Sequence, residues 1–335
     1  MICNYNHADY LAAAVESALA QTGAPEVIVV DDGSTDTSLE CLQAFLPRIE
    51  LVKMEHQGQR SAYREGFLRS TGSVVVFLDA DDRIFAGAAE AIFAAMGSGV
   101  ARVHWQLELA AEDGAGLGVL IPNEQSEGFL AARLQRGVFP PSSPGSGNAY
   151  RREVLDRLFP LPNNELDRHG ADFFLVYGSV FLGDVVALRR PLGAYRLHST
   201  PLASGSSRYF FGNAAKLQDR EERLEQRVVQ WRRWIQERMG RNLHLPERML
   251  DFSNLKSVFA ARVLESGYLL GMVRGLRLCP RLLRSIWYHG EFSGSRKLGL
   301  SLWAALLLVA PRGISEPLAR HVVDPASRSA TPLRF

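Results

Sequence analysis

Cysteine is scarce in this chain of 335 residues: Cys3, Cys41 and Cys279 are the only three. Their spacing fits neither a disulfide framework nor a zinc site. Reduced thiols and a cytosolic compartment are the expectation. Long apolar runs are lacking as well. The longest, Leu298 to Ala310, would span roughly 20 Å as a helix, against about 30 Å of bilayer hydrocarbon. No membrane-spanning helix is expected. The first residues hold no basic region followed by an apolar run, so no secretory leader is expected. No Gly-x-Gly-x-x-Gly follows the first expected strand, which disfavours a dinucleotide oxidoreductase. Neither an internal repeat nor a nucleic-acid-binding motif is readable.

Apolar residues are plentiful at 47%, enough for a sizeable core. The net charge of +2 hides an asymmetry. Up to residue 207 the chain carries 16 Lys+Arg against 25 Asp+Glu, and from Arg208 onward 22 against 11. A basic back half points to a polyanionic surface as its partner.

The first hundred residues alternate strand and helix signals. Met1 to Cys3 reads as the end of a strand, and Tyr10 to Gln21 as a helix with Leu11, Val15, Ala18 and Leu19 on one face. Val27 to Val30 is a β-branched run suited to a buried parallel strand. Ile49 to Met54, Ser61 to Ser70 and Val74 to Leu78 read as strand, helix and strand. Such alternation implies a parallel sheet with helices on both faces. Further on, Val103 to Leu109 and Val185 to Leu188 read as strands. Arg151 to Arg157 and Ala171 to Leu182 read as helices. Asn213 to Met239 is a charged, solvated helix whose apolar stripe is Leu217, Leu224, Val228, Trp231 and Ile235.

Two acidic groups follow two different strands: Asp31-Asp32 and Asp79-Ala80-Asp81-Asp82. Ligands of open parallel sheets bind at the carboxyl ends of the strands, so both groups face one crevice. Five converging carboxylates repel one another unless a cation compensates. Mg²⁺ takes one or two carboxylates and completes its shell with phosphate oxygens and water. A phosphate-bearing ligand with a divalent metal is the natural occupant. Asp31-Asp32-Gly33-Ser34 is also good turn chemistry in its own right.

In order and spacing, four segments resemble the inverting family 2 glycosyltransferases. They are Ile2 to Asn6, Val29 to Asp36, Gln57 to Ala62 and Gly72 to Asp82. The resemblance implies a GT-A type nucleotide-diphospho-sugar transferase fold: α/β, a mostly parallel central sheet with helices on both faces, here with a C-terminal α-helical region. It implies that Tyr5, Asp31 and Asp32 bind the nucleotide, with Arg60 in reach of it. Asp79 and Asp81 would hold the nucleotide sugar, and Asp81 and Asp82 a Mg²⁺ or Mn²⁺ ion. The general base would be Asp172, at the start of a helix, with Glu165 and Asp167 as rivals. Gly147 and Asn148 would lie on the acceptor side, and His198 would reach the diphosphate or the metal. An arginine at a helix start, an acid in a first turn and a lone histidine are equally ordinary structural features. Relatives usually carry several residues before the point where Met1 stands, so either the start is misassigned or the first strand is short.

The expected domains are residues 1–205, catalytic, with a nucleotide-sugar half to about 100 and an acceptor half beyond it. A basic helical region, 206–323, and a flexible tail, 324–335, follow. In that region Arg274, Arg277, Arg281 and Arg284 interleave with leucines, Ile286 and Trp287. Such helices suit an anionic membrane face, or a subdomain packed on the sheet with basic outer faces. The expected partners are therefore a nucleoside-diphosphate sugar, a saccharide or lipid-linked acceptor and an anionic membrane on its cytoplasmic side. Two alternatives stay open: a sugar-nucleotide-binding scaffold without activity, and a haloacid-dehalogenase-like phosphatase. In the latter the Asp-x-Asp pair follows the first strand, not the fourth.

Overall fold

The structure is a computed structural model that describes residues 1–162, 169–200, 208–209, 217–240, 242–264 and 268–324. Glu165, Asp167 and the tail beyond Asp324 lie outside the described residues.

The chain begins with β1 (Ile2–Asn4), α1 (Ala8–Leu19), β2 (Ile28–Asp31), α2 (Ser38–Cys41), β3 (Glu50–Lys53) and α3 (Gln59–Arg69). Every residue of β2 is buried, as its continuous β-branched run requires of a strand covered on both faces. α1 buries Leu11, Ala14 and Val15 against the sheet. Next come β4 (Val74–Val76) and β5 (Leu78–Asp79). The expected single strand from Val74 to Leu78 is in fact two, broken at Phe77. β5 pairs with β1 in a parallel sheet ordered β3-β2-β1-β5, whereas β4 belongs to a second, mixed sheet. Phe77 is buried, with its ring stacked on Tyr63 at 4.2 Å. A run of apolar residues buried on both faces carries no periodicity, so the change of sheet could not be read from it.

The second sheet uses β6 (Arg83–Ile84), β7 (Val100–Ala110), β8 (Gly116–Ile121), β9 (Asn148–Arg151) and β10 (Asp184–Arg196). Helices α4 (Ala88–Ala95), α5 (Ala131–Gln135), α6 (Arg152–Leu158) and α7 (Ala171–Ser179) surround it. β10 runs far past the expected Leu188. Its pairing with β7 shifts register on either side of Pro191, which absorbs the missing N–H and lets the strand continue.

α8 (Leu217–Met239) carries Trp231, Trp234 and Ile235 into the core beneath α3, α6 and α7. Val228, Trp231 and Ile235 of its apolar stripe thus form a docking face and not a side turned to water. Beyond it α9 (Phe252–Leu264), α10 (Tyr268–Trp287), α11 (Gly294–Val309) and α12 (Arg312–Val323) enclose a core of their own around Phe259, Ile286 and Leu307. The two cores meet along a polar seam. Phe139 N–H donates to Leu250 O at 3.0 Å and Leu250 N–H to Gly137 O at 2.7 Å. Arg133 pairs with Glu291, whose carboxylate also accepts from Ser126 Oγ at 2.6 Å.

Candidate active site

The parallel strands β2 and β5 end on the two acidic groups, so both open into one crevice, as expected. Asp31 is buried and works within the turn. It accepts from Asn4 Nδ2 at 2.8 Å and from Ser34 N–H at 2.9 Å. Asp32 is 3% exposed, and Gln57 and Gly58 each donate a backbone N–H to it at 2.8 Å. His56 Nδ1 lies 3.0 Å from Asp32 Oδ2. The same imidazole stacks on Tyr5 with ring centroids 4.0 Å apart. Tyr5 is 39% exposed, so an aromatic platform stands beside a held carboxylate.

Of the second group, Asp81 accepts from His198 Nε2 at 2.7 Å. Burial works to raise its pKa, but the His198 hydrogen bond and the nearby His7 and His198 charges outweigh it and hold Asp81 low. His198 in turn is pushed up, chiefly by that bond. His7, Asp81 and His198 offer donor atoms that all lie within 4.8 Å of one another, a metal-sized cluster. Asp82 is 2% exposed and faces inward, accepting from Arg196 N–H at 2.9 Å. Burial and then the neighbouring Asp81 and Asp79 raise its pKa well above the carboxylate range. The structure therefore groups His7, rather than Asp82, with the two expected ligands Asp81 and His198. Burial, and then the charges of Asp81 and Asp172, push Asp79 up to about 7.

Asp172 stands in the first turn of α7 and faces Asp79 across Gly145. A Cβ on Gly145 would lie 3.4 Å from Asp79 Oδ2 and 3.5 Å from Asp172 Cβ. Gln59 bridges the same two elements: its Nε2 donates to Asp79 at 3.5 Å and its Oε1 accepts from Ala171 N–H at 3.0 Å. Arg60 is 3% exposed. Its guanidinium donates to His169 O at 3.0 Å, Pro162 O at 2.8 Å and Gln230 at 2.9 Å, and lies over the Phe174 ring. It ties down the approach to α7 instead of facing the crevice. Gly147 and Asn148 are also buried. Asn148 Nδ2 donates to the carbonyls of Ser143 at 3.1 Å and Pro144 at 2.6 Å, fixing the loop ahead of β9.

That loop walls a cavity of about 650 Å³, which reaches Asp172. Phe139, Phe173 and Tyr177 line one side of it, and Phe252, Lys256 and Arg296 of the helical region line another. Sequence reasoning missed His7, His56 and Gln59. Each lay inside or next to a quoted segment, yet each acquires its partner only through loops distant in sequence.

Residues 1–159 match the family model described as Glycosyl transferase family 2. Over these residues the chain is similar to glycosyl transferase family 2. An uncharacterized glycosyltransferase of Nostoc sp. is 38% identical over 211 residues, covering 59% of this chain and 64% of that protein. The succinoglycan biosynthesis protein ExoO of Rhizobium meliloti is 28% identical over 210 residues, 59% of each chain. The chain thus spans a little under two thirds of the length of these curated relatives. A mannosyltransferase from Pyrobaculum calidifontis, solved with GDP-Man and Mn²⁺, superposes with a TM-score of 0.50 at 18% identity. The superposition covers 99% of this chain and 86% of that one, and the likeness is one of GT-A-like fold. Asp172 lies beyond the residues of the family match.

Proposed function

We propose that the chain transfers a sugar from a nucleoside-diphosphate sugar to an acceptor hydroxyl, with inversion at the sugar carbon. The observation that carries this reading is the facing of Asp79 and Asp172 across Gly145, with the crevice on one side and the cavity on the other. The Tyr5–His56 platform stacks the base, and Asp32, held by Gln57 and Gly58, accepts from its edge. Asp79 binds the ribose or the sugar. Asp172 takes the proton of the acceptor hydroxyl, on the face opposite the leaving group. Arg60 positions α7, and Gly147 and Asn148 position the acceptor loop.

The donor set fits a divalent ion. Two imidazoles and a carboxylate suit Mn²⁺ better than the oxygen-seeking Mg²⁺. His7, Asp81 and His198 would hold the ion, and when bound it supplies Lewis-acid stabilisation of the leaving diphosphate. Names among the relatives support a place in polysaccharide synthesis. The basic helical region supports a saccharide or lipid-linked acceptor at an anionic membrane, on the cytoplasmic side.

The deciding experiment incubates the chain with a panel of nucleotide sugars and Mn²⁺ or Mg²⁺ and measures nucleoside diphosphate release. Release with one donor is expected. Asp81→Ala abolishes metal-dependent nucleotide binding, and Asp172→Asn keeps binding but loses turnover. Unchanged turnover in Asp172→Asn rejects the base. Binding without release favours the scaffold, and orthophosphate from phosphomonoesters favours the phosphatase.

A further inference from the structure

The helical region buries one side and leaves an unusual amount of the other apolar. On α10, Leu269, Val273 and Leu276 are 70%, 44% and 53% exposed, and Trp287 continues the stripe at 56%. On α11, Leu298, Leu302 and Val309 are 56%, 57% and 62% exposed. A monomeric surface rarely leaves so many large side chains together without a partner.

The two stripes form one face. α10 and α11 run antiparallel, held at one end by Tyr268 Oη donating to Val309 O at 3.0 Å. At the other end Lys297 Nζ donates to Trp287 O at 3.0 Å. Both helices turn their buried residues into the same core with α9, so their exposed stripes point away from it. Among the described residues no helix is long and apolar enough to cross a membrane. Lipid contact through this face is therefore contact at a membrane surface, not through a span.

Charge identifies what covers it. Residues 252–323 hold ten Lys+Arg against three Asp+Glu. Arg274 and Arg277 follow Val273 and Leu276 of the α10 stripe by one residue, about 100° around the helix, and Arg284 continues their row two turns on, while Arg281 of the same row lies 3.7 Å from Glu225. An apolar stripe flanked by a stripe of arginines matches acyl chains beside anionic headgroups. A second copy of this chain would bring the same positive charge to the contact, which disfavours self-association.

We propose that the α10–α11 hairpin lies flat on an anionic lipid surface, its leucines and Trp287 in the acyl boundary and its arginine stripe on the headgroups. This rests on the reading of the helical region as membrane-facing, and is independent of the transfer chemistry. The cavity that reaches Asp172 is lined by Arg296, two residues before Leu298, so cavity and docking face share the start of α11.

The test is vesicle flotation with the full chain. Vesicles of phosphatidylcholine alone are compared with vesicles containing phosphatidylglycerol. The chain is expected to float with the anionic vesicles only, and less so as salt rises. Leu269→Glu with Leu302→Glu, and separately Arg277→Glu with Arg284→Glu, are each expected to lower vesicle affinity by about tenfold or more. Donor turnover measured without lipid reports that these surface variants are folded. If the chain floats but both variants float equally well, the face is wrong while membrane binding stands. No flotation with either lipid overturns both. A stable dimer in light scattering that Leu302→Glu dissociates overturns the lipid assignment in favour of a second copy.

Discussion

Gly145 stands between the two carboxylates of the site. Asp79 and Asp172 face each other across it, a Cβ there would only touch both, and Gln59 spans the same gap with one amide. Gln59→Ala removes both of its bonds. We expect turnover to fall about tenfold or more with KM for the donor little changed, because positioning and not binding is lost. Steady-state kinetics check this. His7→Ala removes one of three clustered donors. Mn²⁺ affinity should fall about tenfold or more, read by calorimetric titration with nucleotide present. The carboxylates were legible in the sequence because acids directly after buried strands have few structural reasons to be there. His7, His56 and Gln59 were not. A histidine or glutamine in a loop looks alike whether it meets solvent or a partner a hundred residues away. The setting of Arg60 was illegible for the opposite reason: its burial depends on α7 and α8, which no local pattern brings near.

Among the elements, α8 alters the reading of the chain most. Its charged sequence suggested a helix in water, yet Trp231 is fully buried among Phe139, Phe173, Tyr177 and Phe181. Trp231→Ala should cost about 3–5 kcal/mol of stability, the range for a large aromatic lost from a core. Denaturant unfolding measures it. A value under about 1 kcal/mol would mean that α8 only rests on the surface. The helices and parallel strands of the first hundred residues were legible, because amphipathic spacing and β-branched runs are local signals. β10 was legible only as far as Leu188, since the proline at 191 normally ends a strand and a register shift is invisible in the sequence. The exposed stripes of α10 and α11 were legible as apolar and basic, but not as exposed. That depends on which face α9 covers.

Across the whole molecule, the seam between the two cores is expected to be sensitive to acid. Burial drives the His289 imidazole down to about 4, with Arg133 and two lysines acting the same way against the charge of Glu291. The unfolded chain takes up this proton near 6.5 and the folded chain only near 4. Between those values the unfolded state binds more protons, so this contribution to stability is lost as pH falls from 6.5 toward 4. His289→Gln should shrink the drop in Tm between neutral and mildly acidic buffer. Thermal unfolding of both proteins gives the difference directly. An equal drop in both would assign the acid sensitivity elsewhere. The break at Phe77 has a mechanical consequence at the same scale. A buried aromatic is all that separates β4 in one sheet from β5 in the other. A chain that passes between sheets in one packed residue has no hinge at that point. A swing of the two sheets about a slack linker is therefore not expected at β4–β5. Opening for substrate and product would then fall to the rim: the loops over the crevice, and the helical region that lines the cavity.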